Sequence, residues 1–409
     1  MGLQKIRVIS FCDKTMLFSL YVIAFFLPIS KAVIEIFSIL AIICYLVKKI
    51  VLREDISRTS INYAVFLYFI ICFLSIFLSS NFKISSRNFL GKTTQSVVFF
   101  FVVAETLSTE RRIKNFLYIL FTSSLLLGVD GIYQYFTHKD FLRHRRHPGL
   151  PRIQATFYTS NDFGCYLYSL IPFILTCYLS KHKFKVYKFL FLGLFVLIFI
   201  CLTLTVSRGA WFAFLSEMLF LSIWIRPLGI LFLALGIFII TTHQFYHPML
   251  KERLTNFFIF KDASFLGTDR RDIWDTAWRM CIYNPWLGLG LGTFMFNFRK
   301  FMIKDYTYGV PYAHNCYLQI LCEIGIIGLA SFLSILVLFF LNGIRIINRR
   351  EKTFSWYILI ASLASILGYC VQMTVDTIFY SLDLGMLFWL ILGLGVAAMK
   401  NTELEVAVE

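Results

Sequence analysis

Residues 313–342 read AHNCYLQILCEIGIIGLASFLSILVLFFLN. From Ile324 to Asn342 no Asp, Glu, Lys or Arg interrupts the run. A helix needs roughly 20 mostly apolar residues to cross about 30 Å of hydrocarbon. Phe, Leu and Ile fall on every face here, as they do where lipid surrounds a helix, so this stretch reads as a membrane span. Its first third differs. Asn315 and Gln319 are four apart and Glu323 continues their stripe one turn deeper. A polar stripe entering an apolar span is expensive and faces a cavity or the bundle interior. His314 stands at its mouth. An imidazole there can hydrogen-bond water at an interface, or serve as a general base, since it titrates near neutrality.

Working outward, the same apolar character recurs along the chain. Of 409 residues 58% are apolar and 15% charged, whereas soluble domains are nearer 45–50% and about 25%. Mean hydropathy is +0.74. These values exclude a disordered chain, a disulfide scaffold and an ordinary cytosolic enzyme, and so apolar a chain is a poor candidate for a nucleic-acid binder. Apolar runs at 15–30, 33–50, 62–80, 91–106, 115–136, 162–180, 186–206, 209–225, 228–245, 313–342, 355–375 and 378–399 predict about twelve transmembrane helices. The fold class is therefore all-α, a polytopic integral membrane protein. Alternating ten-residue strands of an outer-membrane barrel are absent. Lys5, Arg7 and Lys14 precede the first run as in a signal peptide, but no small-residue cleavage site follows, so the run is expected to be retained as a span.

The net charge of +16 carries the orientation. With the N-terminus inside, twenty of the 39 Lys and Arg fall in short inner segments, which favours both termini in the cytoplasm. Nineteen fall outside, concentrated in 137–161, with its HKDFLRHRRHPGLPR, and in a 65-residue loop at 246–310. The expected organisation is spans one to nine with short loops over 1–245, an outer loop over 246–310, spans ten to twelve over 311–400, and a cytoplasmic tail over 401–409. A loop that long is usually functional or separately folded. In it, TDRRDIWDTAWRMCIY (268–283) places Ile273, Trp274, Ala277, Trp278, Cys281 and Ile282 at helical spacing, so a short helix is expected, stopped by Pro285. The ten cysteines show no CxxC or Cys/His metal spacing and read as small buried residues.

Several residues could carry chemistry. Arg208, in TVSRGAWFAF, can snorkel to headgroups from a span end or fork onto a phosphate, with Ser207 and Gly209 leaving room beside it. Arg270, Arg271 and Arg279 lie on the expected loop helix, where a solvated face is the plain alternative. Gly288, Gly290 and Gly292 permit close backbone approach to a neighbour or a ligand. They are not a dinucleotide fingerprint. Arg152 precedes Asn161 and Asp162, and Asn161 suits a helix N-cap. Asp376 and Asp383 could orient a base or an arginine, or simply cap. No acidic pair suited to Mg²⁺ accompanies them in the outer loops.

Taken together, SRGAW after a span, an outer loop with RxxW followed by NPWLGLGLGTF, and AHNxxLQxLxExGxxGL on the next span resemble the O-antigen ligase and polymerase superfamily. The motifs cover about 150–330, and span count and length extend the likeness over the chain, nearest to the ligase branch. The resemblance implies a membrane glycosyltransferase of the C type, using neither metal nor cofactor, on the periplasmic face of the bacterial inner membrane. It implies transfer of a polysaccharide from undecaprenyl diphosphate to lipid A–core oligosaccharide, with membrane lipids as surroundings. His314 matches the family's catalytic base and Arg208 its first key arginine. Arg271 fits the second better than Arg279 does. Arg152, Asn315, Gln319 and Asp376 are carried as supporting residues. An O-antigen polymerase shares the donor chemistry, and a polyprenol-linked glycan transporter is the more distant alternative.

Overall fold

A computed structural model describes residues 3–53, 59–146, 152–180, 188–226, 268–302, 312–349 and 352–407, with the isolated positions 230 and 234. Among them the chain is helical, without a strand and with one isolated bridge between Lys139 and Arg146. The helices are α1 (Leu3–Phe26), α2 (Lys31–Leu52), α3 (Ser60–Phe77), α4 (Phe82–Asn88), α5 (Thr94–Thr106), α6 (Glu110–Thr137), α7 (Ser160–Leu179), α8 (Lys188–Leu204), α9 (Arg208–Trp224), α10 (Thr268–Tyr283), α11 (Phe294–Phe301), α12 (Cys316–Arg349), α13 (Phe354–Gln372) and α14 (Leu382–Ala407). Their starts follow from local chemistry. Side chains of Ser30, Thr59, Asn81, Thr109, Thr159, Ser207 and Thr353 each accept from a backbone N–H in the first turn, which satisfies donors a helix cannot pair itself.

Among the described residues, seven helices are long and apolar enough to cross a membrane: α1, α3, α6, α7, α12, α13 and α14. α8 is equally apolar but has 17 residues. A helix occupies each expected run except 228–245, which lies outside the described residues apart from positions 230 and 234. Two boundaries differ instructively. α1 begins at Leu3 rather than near 15, because Asp13 pairs with Lys48 of α2 at 2.7 Å and the charged turn is supported by its neighbour. The fourth run is reached through α4 and a π turn at Phe89–Thr93, so helix runs without a gap from Phe82 to Thr106.

The lateral surface carries the apolar signature. Phe18, Ile36, Ile43, Phe73, Phe77 and Phe189 are exposed on α1, α2, α3 and α8. Contiguous exposed apolar surface on this scale marks contact with lipid. The interior is centred on α14, whose Phe388 and Trp389 pack against Tyr68, Phe100, Phe332 and Phe379, with Trp389 edge-on to Phe100 and Phe388 edge-on to Phe379. The connections then sort to two ends. At one end Lys49 meets Glu105 at 2.9 Å, and Trp224 donates to Asn348 at 3.0 Å. At the other, Lys31 meets Asp383 at 3.6 Å, Arg143 donates to the Ile29 carbonyl, and the Ser80 amide donates to the Leu289 carbonyl at 2.9 Å.

This second end is organised by a break in α12. At Gly325 φ is 68° and ψ is −173°, a conformation open almost only to glycine. The break strands the carbonyls of Cys322 and Glu323 and the amides of Ile326 and Ile327. The segment after α10 satisfies all four. Leu289 and Gly290 donate to Cys322 and Glu323 at 2.9 and 2.8 Å, while Ile326 and Ile327 donate to Pro285 and Trp286 at 2.8 and 3.3 Å. The glycines are what allow the approach. A Cβ on Gly288 would overlap the Glu323 backbone, one on Gly290 the Ser79 hydroxyl, and one on Gly325 the Trp286 carbonyl. Backbone thus packs on backbone at Gly288 and Gly325, while Gly290 and Gly292 make room for the side chains of Ser79 and Asn88.

Gly325→Ala should destabilise the fold by about 3 kcal/mol, from left-handed strain plus the lost pairing. Thermal unfolding in detergent checks this. Gly193→Ala, on α8 with open space around its Cα, should leave the midpoint unchanged or slightly raised.

Candidate active site

Four elements bring polar groups to one spot at the end organised by the break: the strand of chain before α12, the turn after α13, and the starts of α7 and α9. His314 precedes α12 at φ 48°, half-exposed, with Nδ1 3.5 Å from Asp376 Oδ1. Its main chain is held on both sides. Gln319, which is buried, accepts from the Ala313 amide at 3.3 Å, and the Trp274 indole donates to the Ala313 carbonyl at 2.8 Å. Asn315 caps α12 by accepting from the Leu318 amide at 3.0 Å. Gln319 also donates to Glu323 at 3.2 Å, and Glu323 accepts from the Gly292 amide at 2.8 Å and the Tyr380 hydroxyl at 3.3 Å. The stripe read in the sequence thus faces the bundle interior and ties the histidine's chain to the glycine loop and to the turn after α13.

Asp376 is the hub of a relay. Its Oδ2 accepts from Asn161 Nδ2 at 2.8 Å. Asn161 Oδ1 accepts from Arg152 Nη2 at 3.0 Å, and Arg152 Nε donates to the Thr205 carbonyl at 2.8 Å. Asn161 is thus a link in this chain rather than the N-cap expected for it; Thr159 caps α7. The Thr377 amide donates to Oδ1 at 2.9 Å. Burial alone would raise the Asp376 pKa, but the His314 imidazole, the Thr377 amide and the Asn161 amide outweigh it and hold the carboxyl below its ordinary value. Asp383 is engaged elsewhere, by Lys31 and the Leu384 amide.

Arg208 is the first residue of α9, next to this hub. A Cβ added at Gly209 would stand 3.0 Å from Val375 and 3.5 Å from Gln372, one and four residues from Asp376. Two residues before Arg208, Val206 takes φ 51°, rare for a β-branched residue, and Ala155 takes φ 47° in the segment that carries Arg152. Three left-handed non-glycine residues, counting His314, belong to the segments that meet at the site, and such strain costs of order 1–3 kcal/mol each. α10 spans 268–283, as its spacing predicts. Arg271 and Arg279 are both exposed on it and Arg270 is half-buried. Trp274 marks the edge of α10 that meets Ala313. At about 100° per residue, Arg270 lies about 40° and Arg271 about 60° from that edge, and Arg279 about 140°. The helix thus presents 270 and 271 toward the histidine's side before 279.

The sequence reading missed the Trp274 anchor and the linking role of Asn161. It also left Gln372 unremarked, which donates to the Asn161 carbonyl at 3.3 Å. An indole four residues from Arg270 in RRDIW was the only signal for the first.

Fold and site together define a multi-pass helical membrane protein with a histidine–carboxylate pair and arginines at one end of its bundle. Residues 193–333 match the family model described as O-antigen ligase, which assigns that stretch to the O-antigen ligase superfamily. The matched stretch contains Arg208, α10, the glycine loop, His314, Gln319 and Glu323; Arg152, Asn161 and Asp376 lie outside it. No curated protein matches the chain.

Asp376→Asn should lower stability by roughly 2 kcal/mol at pH 7, the order seen when a buried charged hydrogen-bond partner is lost. The depressed carboxyl contributes fully above its ordinary value, and that contribution disappears as the pH falls through the depressed one. The gap between wild type and Asp376→Asn should therefore close in acid. Paired unfolding curves from pH 7 down to 3 measure it; a constant gap would mean the charge is unimportant.

Proposed function

We propose that the protein is an O-antigen ligase. In this reading it transfers a polysaccharide from undecaprenyl diphosphate to a hydroxyl of lipid A–core oligosaccharide, at the periplasmic face of the inner membrane. The observation that carries the reading is the His314–Asp376–Asn161–Arg152 relay beside Arg208. It couples an imidazole to a carboxylate, and the backbone at Gly209, next to Arg208, packs on the turn that carries that carboxylate, within a chain whose 193–333 stretch matches the ligase family. A proton acceptor beside an anion-binding group is what this transfer requires.

The donor stores its energy in the sugar–diphosphate bond. In the reaction the acceptor oxygen forms a bond to the anomeric carbon as the bond from that carbon to the diphosphate oxygen breaks. The hydroxyl proton passes to His314, and the electron pair leaves on the diphosphate. Asp376 beside Nδ1 favours the tautomer that carries its lone pair on Nε2, and it stabilises the imidazolium that forms. Negative charge grows on the leaving diphosphate, so arginines aimed at it bind the transition state more tightly than the ground state. Arg208 takes that role, with Arg271 ahead of Arg279 as its partner from α10. Attack from the face opposite the leaving group inverts the anomeric centre. The 3.5 Å spacing of the pair is loose for a hydrogen bond, and catalytic contacts of this kind commonly tighten only with substrate bound.

The test is transfer by purified protein from an undecaprenyl-diphosphate glycan, with lipid A–core as sole acceptor, with and without chelator. His314→Ala should lose about 10²–10⁴-fold activity, the usual contribution of a general base, while still folding. Retained ligation would sink the assignment. Chains that lengthen without reaching lipid A–core would make the protein a polymerase instead. Arg208→Lys should also lose most activity, because a point charge cannot reproduce the guanidinium fork. Arg271→Ala should cost more than Arg279→Ala; the reverse order would reassign the second arginine.

A further inference from the structure

The ten cysteines are not equivalent. Nine are buried and all are thiols here. Two of them face each other across the joint between α10 and α12: Cys281 Sγ and Cys322 Sγ are 2.8 Å apart. That is longer than the about 2.05 Å of a bond but closer than two non-bonded sulfurs pack. The surroundings are reciprocal. Cys322 Sγ lies 3.1 Å from the carbonyl of Ala277, and Cys281 Sγ 4.0 Å from that of Leu318, each four residues before the other cysteine. The two helices therefore present matching turns to one another, and both sulfurs sit in the small core that fastens α10 and α11 to α12, among Ile273, Ala277, Met280, Leu289, Phe294 and Phe298. Oxidation would only have to draw two facing sulfurs together.

We propose that Cys281 and Cys322, set face to face across the α10–α12 joint, form a structural disulfide that staples the arginine-bearing outer helix to the helix of His314 and the break. The proposal rests on the reading of the His314 end as the periplasmic one, because disulfides persist in oxidising compartments and seldom in the cytosol. The chemistry is thiol–disulfide exchange with a protein disulfide carrier. One cysteine thiolate attacks the carrier's disulfide, the second displaces the carrier from the mixed disulfide, and the two electrons and the two thiol protons pass to the carrier, which leaves as a dithiol. Both sulfurs are buried in the finished fold, so the exchange belongs to the stage before α10 has docked. The bond closes a loop of 41 residues in sequence separation, which includes the whole glycine segment and α11. Such a cross-link removes much of the freedom of that segment in the unfolded chain. It thereby holds Arg271 and the Trp274 anchor to His314 without spending any polar group of the site.

The experiment is peptide mapping of the wild-type protein, denatured and alkylated directly from membranes without reductant and compared with a sample reduced first. The expected result is a linked pair of peptides containing 281 and 322, and two fewer alkylated thiols than after reduction. A phosphine reductant should lower the unfolding midpoint by several degrees. The double variant Cys281→Ser/Cys322→Ser should start from the lowered value and not respond. Recovery of both cysteines as free thiols would overturn the proposal and leave a pair of hydrogen-bonded thiols. To separate that from an error in sidedness, Arg299→Cys, an exposed position on α11, is labelled with a membrane-impermeant maleimide in right-side-out vesicles. Free thiols with outward labelling overturn the disulfide alone. Free thiols with inward labelling overturn the disulfide and the periplasmic assignment together. A linked pair with inward labelling keeps the bond and overturns the assignment.

Discussion

In a low-dielectric bundle every backbone donor and acceptor must be paired within the protein, and an orphan costs several kcal/mol. The break at Gly325 is admissible only because the segment 285–290 supplies two donors and two acceptors in the right register. The rest of the functional end hangs on that exchange. It fixes where α10 finishes, which sets where Trp274 meets Ala313, and so where His314 begins its left-handed turn. It also leaves Glu323 with both oxygens committed, one to Gln319 and the other to Gly292 and Tyr380, so the turn that carries Asp376 is anchored through Tyr380 to the same joint. A histidine and its carboxylate partner from distant parts of the chain thus share one support.

The relay behind Asp376 solves a different problem. A buried carboxylate pays heavily for lost hydration unless its lone pairs are met. Here the Asn161 amide, the Thr377 amide and the histidine meet them, while Arg152 turns its guanidinium to Asn161 and to the backbone at Thr205. The relay therefore links the starts of α7 and α9 to α13. Ser207, the residue before Arg208, continues that link, since it donates its amide to the Thr205 hydroxyl and caps α9.

Much of the architecture was legible in the sequence because lipid imposes a one-dimensional rule: a long apolar run must be helix. α12 and the loop helix 268–283 were readable for that reason and from 3.6-residue periodicity, respectively. The α4–π–α5 continuity was not, since nothing in FKISSRNFLGKTT distinguishes a surface loop from a helix lying at the bundle's end. His314, Arg208 and the Asn315–Gln319–Glu323 stripe were visible as polar residues in costly places. Their division of labour was not. Asn315 and Gln319 are local enough for their cap and clamp to be guessed, whereas Asn161 offers the same amide to a cap or to a partner 215 residues away. The glycine run announced a close approach without saying to what. Cys281 and Cys322 lie too far apart in sequence to form any motif.

The placement of α14 bears on how such a protein is made. It is the most enclosed of the apolar helices, with 94% of its apolar window buried, yet it is synthesised after every other helix described. The inward faces of α5, α7 and α13 that pack on it must therefore remain without their partner while translation continues. Bundle closure is consequently a late, post-insertional event. An elongating chain stalled before residue 382 would have its earlier spans in place but no centre, and the rings of Tyr68, Phe100 and Phe332 would be left uncovered.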